Sequence, residues 1–354
     1  MLNTKIFCDK LLDWSRQNTR YLPWKADRDP YKIWLSEIIL QQTRVQQGMP
    51  YYLRFIASYP DVFSLANATE NQVIKSWEGL GYYTRARNLH KTARIVARQY
   101  NGVFPGNYSG LLTLPGIGPY SAAAIASFAY DEAVPVIDGN VLRVVSRLLG
   151  SDVPVDTKEG RYRVDTFVRE AIQHAQPSLF NQAIMDFGAT HCKPASPLCD
   201  QCPLSAHCIA YQNGTAERIP VKKQKIQKTE RHIIYLDFVI AGKYTLLLRQ
   251  NTADIWKGMY LFPAIENIAD TVEKAIEKMI FELFNENLTF NISKTHKNPL
   301  KQILTHRVIY ADFYQIILKM KPKKINKNFN LVERSKIQNF AMPKILISYL
   351  QFIK

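Results

Sequence analysis

Four of the chain's five cysteines fall within residues 192–208, spaced Cys192-x6-Cys199-x2-Cys202-x5-Cys208. Pro194 and Pro197 lie between the first pair and Pro203 follows the third cysteine, bending the chain so that four thiolates can converge. Thiolate sulfur binds soft metals, so the candidates are an iron–sulfur cluster or a structural zinc. Zinc sites usually come as two C-x2-C knuckles held apart by a longer spacer. This loop has one knuckle, flanked by spacers of six and five. The spacing favours a cluster, with zinc second and plain buried thiols third. Disulfides are disfavoured, since the cysteines sit late in a long chain that opens without a secretion signal.

At 354 residues the chain suits two domains, each able to bury a core, and a hydrophobic share of 47% implies a globular protein. The formal charge of +16 is large for that length. It points to a polyanionic partner, nucleic acid ahead of an acidic membrane, with a basic proteome as the bland alternative. The first ten residues carry charges every few positions, and no run of about 18 apolar residues occurs anywhere. The expectation is a soluble, cytoplasmic, monomeric protein with no membrane partner. Cys8 is expected to be an ordinary buried side chain.

Residues 5–20 read as an amphipathic helix built on Phe7, Leu11, Leu12 and Trp14. After Pro23 and Asp29-Pro30 comes a run from Tyr31 that is apolar on most faces, with Glu37 in its middle. A carboxyl so placed should have a raised pKa and suit a general acid, although a Glu facing solvent or an arginine is the commoner outcome. In Gly79-Leu-Gly-Tyr-Tyr-Thr-Arg-Ala-Arg-Asn88, glycines allow close approach, tyrosines can wedge between bases and Arg85 and Arg87 can reach phosphates. A packing turn before a basic helix explains the same residues. Leu114-Pro-Gly116-Ile-Gly118-Pro-Tyr120 then feeds a small-residue helix. Its glycines permit positive φ, and the backbone N–H groups at the helix start can hold a phosphate. Asp138 precedes another helix near Asn140. It reads as a cap, and the nearby N–H groups would keep its carboxylate ionised. No strand pattern appears before about residue 230.

In this order, over residues 20–210, the pieces resemble the helix-hairpin-helix DNA glycosylases of the endonuclease III superfamily. Within it they are most similar to the MutY branch, the adenine DNA glycosylases. The resemblance rests on Leu22-Pro-Trp24, Trp34-Leu-Ser-Glu37-x3-Gln-Gln42-Thr43, the Gly79–Asn88 stretch, Val136-Ile-Asp138-Gly-Asn140 and Asn181-Gln-Ala-Ile-Met-Asp-Phe-Gly-Ala189. It implies an all-α domain over residues 1–212, with the hairpin at about 108–130 and a [4Fe–4S] cluster held by Cys192, Cys199, Cys202 and Cys208. It further implies an enzyme that flips adenine out of double-stranded DNA, opposite 8-oxoguanine or guanine, and removes it. Glu37 and Asp138 would be catalytic, with Tyr120 and Asn140 holding the site. Trp24, Leu40, Gln182 and Met185 resemble the pocket lining. Gln42 and Tyr82 resemble the residues that enter the stack, Thr43 lies near the opposing base, and Gly116 and Gly118 belong to the hairpin.

Residues 213–230 read as a polar, basic linker, which in that family also binds a protein partner. Beyond it the periodicity changes to β-rich runs at 232–240, 244–249 and 308–318, with helices at 271–284 and 342–353. That predicts an α+β domain over 231–354. Trp256-Lys-Gly-Met-Tyr-Leu-Phe-Pro263 resembles a Nudix-fold segment, but the stretch from Asp270 lacks the glutamate cluster of a working hydrolase. The resemblance makes this a lesion-reading domain, with Leu304-Thr305-His306 at its recognition loop. Leu304 stands where the family has an aromatic residue.

The first alternative is an endonuclease III-like glycosylase and lyase acting on oxidised pyrimidines. Those enzymes carry a lysine in the hairpin that forms a Schiff base. Tyr120 stands at that place, which predicts hydrolysis by water alone. A DNA-binding scaffold with a redox cluster would leave the Glu37–Asp138 pair without a task. A nucleotide pyrophosphatase would lack its metal carboxylates.

Overall fold

The structure is a computed structural model that describes residues 3–223, 227–252, 254–267 and 271–353. Gln224–Ile226 of the expected linker, and Asp270 ahead of the 271–284 helix, lie outside the described residues. The chain forms two compact units, Met1–Ala68 with Asn88–Lys225, and Thr69–Arg87 with Ile226–Lys354. The helices in chain order are α1 (Thr4–Gln17), α2 (Pro30–Leu40), α3 (Val45–Ser58), α4 (Val62–Asn67), α5 (Glu70–Ser76), α6 (Thr84–Gln99), α7 (Tyr108–Leu112) and α8 (Pro119–Tyr130). They continue with α9 (Gly139–Leu148), α10 (Lys158–Ala171), α11 (Pro177–Asp186) and α12 (Ile209–Gln212). The first unit is all helix, as the periodicity predicts. No helix among the described residues is long and apolar enough to cross a membrane.

The amphipathic first helix ends at Gln17, short of the expected residue 20, and Asn3 caps it by accepting the Lys5 N–H at 2.8 Å. Phe7, Leu11 and Trp14 on its inner face pack with Val141, Val144 and Val145 of α9 and with apolar residues of α10 and α11. Cys8 is fully buried there, and burial pushes its thiol up to about 11. A five-residue π-helical turn, Phe187–His191, follows α11 and delivers the chain to Cys192. The start of the expected linker is not a free tether. Ile219 is buried, the Val155 N–H donates to the Val221 carbonyl at 3.0 Å, and the Lys223 N–H donates to Asp156. Backbone pairing overrides the polar composition that suggests a solvated segment.

The second unit is α+β. Among the described residues, eight strands form one sheet, whose main path runs β3-β2-β1-β7-β5. They are β1 (Thr229–Ile240), β2 (Tyr244–Arg249), β3 (Tyr260–Leu261), β4 (Ala264–Ile265), β5 (Asn291–Lys294), β6 (Leu300–Ile303), β7 (Arg307–Leu318) and β8 (Phe329–Glu333). β4 pairs with β1, β6 with β7 and β8 with β2. β1 and β7 run parallel over their whole length, from Thr229 opposite Arg307 to Ile240 opposite Leu318. Alternation gives β1 two faces. Ile234, Leu236, Phe238 and Ile240 pack with Ile276, Ile280 and Leu283 of α13 (Val272–Phe284). Among residues of the opposite parity, Tyr235 stacks on Phe313, and Phe313 stacks on Tyr349 of α14 (Lys344–Phe352) at 4.0 Å. The short strands β3, β4, β5, β6 and β8 carry too little alternation to be read from sequence.

Thr69–Arg87 groups with this second unit, although the expected boundary leaves it with its neighbours in sequence. The contacts explain the grouping. Glu70 pairs with Arg249 at 3.5 Å, Glu78 accepts the Met342 N–H at 3.2 Å, and Arg87 donates to the Lys257 carbonyl.

Asp237 lies wholly buried in β1 and accepts both Arg334 guanidinium nitrogens at 2.5 and 3.1 Å, plus the Tyr349 hydroxyl at 3.0 Å. Removing one partner of such a pair leaves a buried charge uncompensated. Arg334→Met should therefore cost about 3–5 kcal/mol, read as a lowered urea midpoint, and adding Asp237→Leu should recover much of it.

Candidate active site

α2 is buried from Ile33 through Ile39, so a carboxyl on it meets little water. Asp29 starts the helix by accepting the Tyr31 N–H at 2.9 Å, with Pro30 at the first helical position. Glu37 lines a cavity of about 850 Å³, within the range of small-molecule sites. Burial pushes its carboxyl up to about 7. The hydrogen bond from Tyr120 pulls the other way, and the nearby Asp138 charge adds to the rise.

Tyr120 enters this cavity because the hairpin turn starts α8 just before it. Gly116 has φ +79°, and a Cβ there would meet the Asn88 Cβ at 2.7 Å, so the turn requires glycine. Gly118 does not use the positive φ that glycine permits: it is extended (φ −88°, ψ 178°), and a Cβ there would meet nothing within 4 Å. What Gly118 leaves is open space over the first turn of α8.

Asp138 caps α9. One carboxylate oxygen accepts the Asn140 and Val141 N–H groups, each at 2.8 Å, and the other accepts the Asn140 side-chain amide at 2.6 Å. These donors favour the anion, as expected, but burial outweighs them and the pKa is raised above the usual aspartate value. Arg143 donates to the Asn140 side-chain oxygen at 2.9 Å, to the Gly188 carbonyl at 2.6 Å and to the Cys192 carbonyl at 2.8 Å. One guanidinium thus joins the cap to the cysteine loop.

Glu37, Tyr120, Asp138 and Asn140 all line the one cavity, with Trp24, Leu40, Gln182 and Met185. Gln42, Thr43 and Gly118 line it too. The sequence reading missed Ser121, whose hydroxyl accepts the Gln41 amide at 3.0 Å, and the ion pair of Lys25 with Asp186. Lys25 and Asp186 each adjoin a residue that had been singled out, Trp24 and Met185, and that adjacency was the available signal.

Gly116 belongs to the hairpin turn and does not line this cavity, nor do Tyr82, Thr305 and His306, which belong to the second unit. Gln42 (φ 55°) and Tyr82 (φ 49°) both hold left-handed backbone, uncommon for residues other than glycine and concentrated at functional sites. Tyr82 is exposed, and its hydroxyl bonds that of Thr305. Thr305 and His306 are exposed in the turn before β7. Tyr83 is instead core. The two arginines after it do not point outward as phosphate ligands. Arg85 is half-buried against the Trp77 ring and donates to the Leu80 and Gly81 carbonyls, while Arg87 is engaged with Lys257.

Cys192, Cys199, Cys202 and Cys208 line one small cavity of about 30 Å³. Arg147, nearly fully buried, donates to the Cys192 Sγ at 3.3 Å and to the Lys193, Pro194 and Ile219 carbonyls. Burial, with the other thiols nearby, pushes Cys202 up to about 12 and raises Cys199 and Cys208. Thiols raised in this way would ionise together only around a positive centre. No three His, Cys, Asp or Glu side chains among the described residues gather closely enough to hold a single metal ion.

Residues 35–169 match the family model for HhH-GPD superfamily base excision DNA repair proteins. The adenine DNA glycosylase of Buchnera aphidicola subsp. Baizongia pistaciae is 33% identical over 325 residues, covering 90% of this chain and 88% of the relative. The chain belongs to the adenine DNA glycosylase family. The mouse adenine DNA glycosylase is 41% identical over 217 residues, 58% of this chain and 42% of its own. The solved structure of a thermostable thymine-DNA glycosylase superposes with TM-score 0.55 at 28% identity, covering 59% of this chain and 97% of that one. The match to the Buchnera adenine DNA glycosylase extends well beyond the HhH-GPD segment into the second unit.

In this adenine DNA glycosylase family member, the coupling at the carboxyl pair has a measurable sign. Asp138→Asn removes a negative charge and should lower the Glu37 pKa. Tyr120→Phe removes a hydrogen bond to the carboxylate and should raise it. Carbon-13 NMR titration of the carboxyls reads both shifts against a wild-type value of about 7.

Proposed function

We propose that the chain hydrolyses the N-glycosyl bond of adenine mispaired with 8-oxoguanine, or with guanine, in duplex DNA. The observation that carries this reading is Glu37, a buried carboxyl with a pKa of about 7, facing the same cavity as a hydrogen-bonded Asp138. Two carboxyls with separated protonation behaviour fit an acid and an electrostatic stabiliser. The adenine is flipped into the cavity, as any base buried in a duplex must be to meet an enzyme's side chains. Glu37 protonates a ring nitrogen, the C1′–N9 bond breaks, and its electron pair leaves with the base. The Asp138 carboxylate stabilises the oxocarbenium-like sugar that remains. Water then adds to C1′ and gives its proton to the Glu37 carboxylate, restoring the acid. Tyr120 and Asn140 act as positioning residues through their bonds to Glu37 and Asp138.

Tyr120 offers no amine, which favours hydrolysis over the endonuclease III-like lyase reaction. Trp24, Leu40, Gln182 and Met185 enclose the base. Gln42 and Tyr82 enter the stack, Thr43 lies near the opposing base, and Thr305 and His306 read the lesion. Gly116 shapes the hairpin and Gly118 leaves room for a phosphate at the start of α8. A [4Fe–4S] cluster fits the four cysteines, whose thiols share one cavity beside the buried Arg147 cation. When bound it supplies a crosslink that holds the loop and takes no part in base removal. Purified protein should carry about four irons and a visible absorbance band, and Cys202→Ser should lose both.

Single-turnover assays on duplexes with adenine opposite 8-oxoguanine, guanine or thymine test the reaction. Adenine should be released opposite 8-oxoguanine, with strand breaks appearing only after alkali and no borohydride-trapped adduct. Glu37→Gln should slow release by roughly 10²–10⁴-fold while DNA binding persists. The acid form of Glu37 is the active one, so the wild-type rate should hold below pH 7 and fall as pH rises through about 7. Release that quickens above that pH would overturn Glu37 as the acid.

A further inference from the structure

Residues 319–328 read Lys-Met-Lys-Pro-Lys-Lys-Ile-Asn-Lys-Asn, five lysines with no acid, and join β7 to β8. All five lysines are exposed. The nearby Lys243 and Lys336 pair with Glu333 at 3.3 and 3.2 Å, but Lys319, Lys321, Lys323, Lys324 and Lys327 pair with no carboxylate among the described residues. The loop that presents them is fastened. The Lys323 N–H donates to Glu286 at 2.9 Å, the Asn326 N–H donates to the Leu283 carbonyl at 2.7 Å, and the Lys321 ammonium sits 5.6 Å from the Tyr244 ring. Glu286 is thus used on the loop's backbone and leaves the ammonium groups free. Five like charges on one ordered loop repel each other and suit a polyanion.

The position of the loop narrows the choice. The Thr305-His306 turn enters β7 at Arg307, and the lysine loop leaves it after Leu318. The eleven residue steps from Arg307 to Leu318, at about 3.3 Å each, separate the two ends by roughly 36 Å, close to one helical turn of duplex DNA. The lysine loop therefore cannot touch the base pair that Thr305 reads. We propose that Lys319–Lys327 is a second, sequence-independent DNA contact, about one helical turn from the lesion pair. This rests on the reading of Thr305 and His306 given under Proposed function.

The test uses the full chain with all five lysines changed to Gln (K319Q, K321Q, K323Q, K324Q and K327Q), after thermal melting confirms that it folds. Binding is measured from about 50 to 200 mM salt on duplexes of about 14 and 40 base pairs with the lesion pair central. The shorter duplex leaves roughly 24 Å on each side, too little to reach the loop. On the longer duplex the variant's plot of log affinity against log salt should be shallower than wild type by about 2–4, at about 0.9 per phosphate lost. On the shorter duplex, binding and single-turnover adenine release should equal wild type. An unchanged slope on the longer duplex would overturn the proposal and leave the lysines to solubility or an acidic protein. Equal losses on both lengths would overturn the assigned distance. Should the wild type release no adenine, the proposed reaction fails, while the salt slopes on undamaged long duplex still decide the lysine contact.

Discussion

Two carboxyls share one cavity, and much of the first unit is arranged to make that tolerable. A pair of buried like charges would repel, and the fold relieves the repulsion unevenly. Asp138 receives three hydrogen bonds at the start of α9, with the Arg143 charge nearby, so its anion is compensated in place. Glu37 receives one bond, from Tyr120, inside an otherwise apolar helix, and so tends to keep its proton. The asymmetry follows from backbone placement. A residue at a helix N-terminus meets unsatisfied N–H groups, whereas one in mid-helix finds every nearby N–H already used.

Arg143 and Arg147 extend that compensation toward the cysteine loop. Both are buried, one turn apart on α9, and between them they satisfy the carbonyls of Gly188, Cys192, Lys193, Pro194 and Ile219. A loop rich in proline cannot use its own N–H groups to satisfy these carbonyls, so the two guanidiniums do it instead. The loop is thereby fixed from α9, the helix that Asp138 caps. Disorder in the loop would reach the Asp138 carboxylate by a short path, through the Arg143 contacts with Asn140 and the Gly139 carbonyl.

Much of the site is legible in the sequence because its parts are local. Asp138 precedes its own helix, the cysteines occupy one loop, and Glu37 sits in an apolar run, so a short window shows each. The unforeseen features depend on distant pairing. Residues 213–230 read as a polar, basic linker, yet within them Val221 pairs with Val155 across more than sixty residues. Arg85 and Arg87 look like phosphate ligands in a Gly-Tyr-Arg stretch, and only the folded chain reveals the ring and carbonyls that occupy them. The rise of the Asp138 pKa is hidden in the sequence for a related reason. Its hydrogen bonds can be inferred from the cap, but the degree of burial cannot. The long strands β1, β2 and β7 announce themselves by alternation, whereas two- to five-residue strands exist only because a neighbour pairs with them.

The grouping of Thr69–Arg87 bears on how base removal and lesion reading are joined. This segment lies within the sequence of the helical part, yet it packs with the C-terminal residues, so the chain passes between the two units at residues 68–69, 87–88 and 225–226. Tyr82 rides on this segment in strained left-handed backbone and is bonded to Thr305. On the proposed function, the residue that enters the stack is therefore held by the unit that carries Thr305 and His306. A change at Thr305 would then reach the stack through Tyr82, which its bond to Thr305 and its left-handed backbone hold in one place.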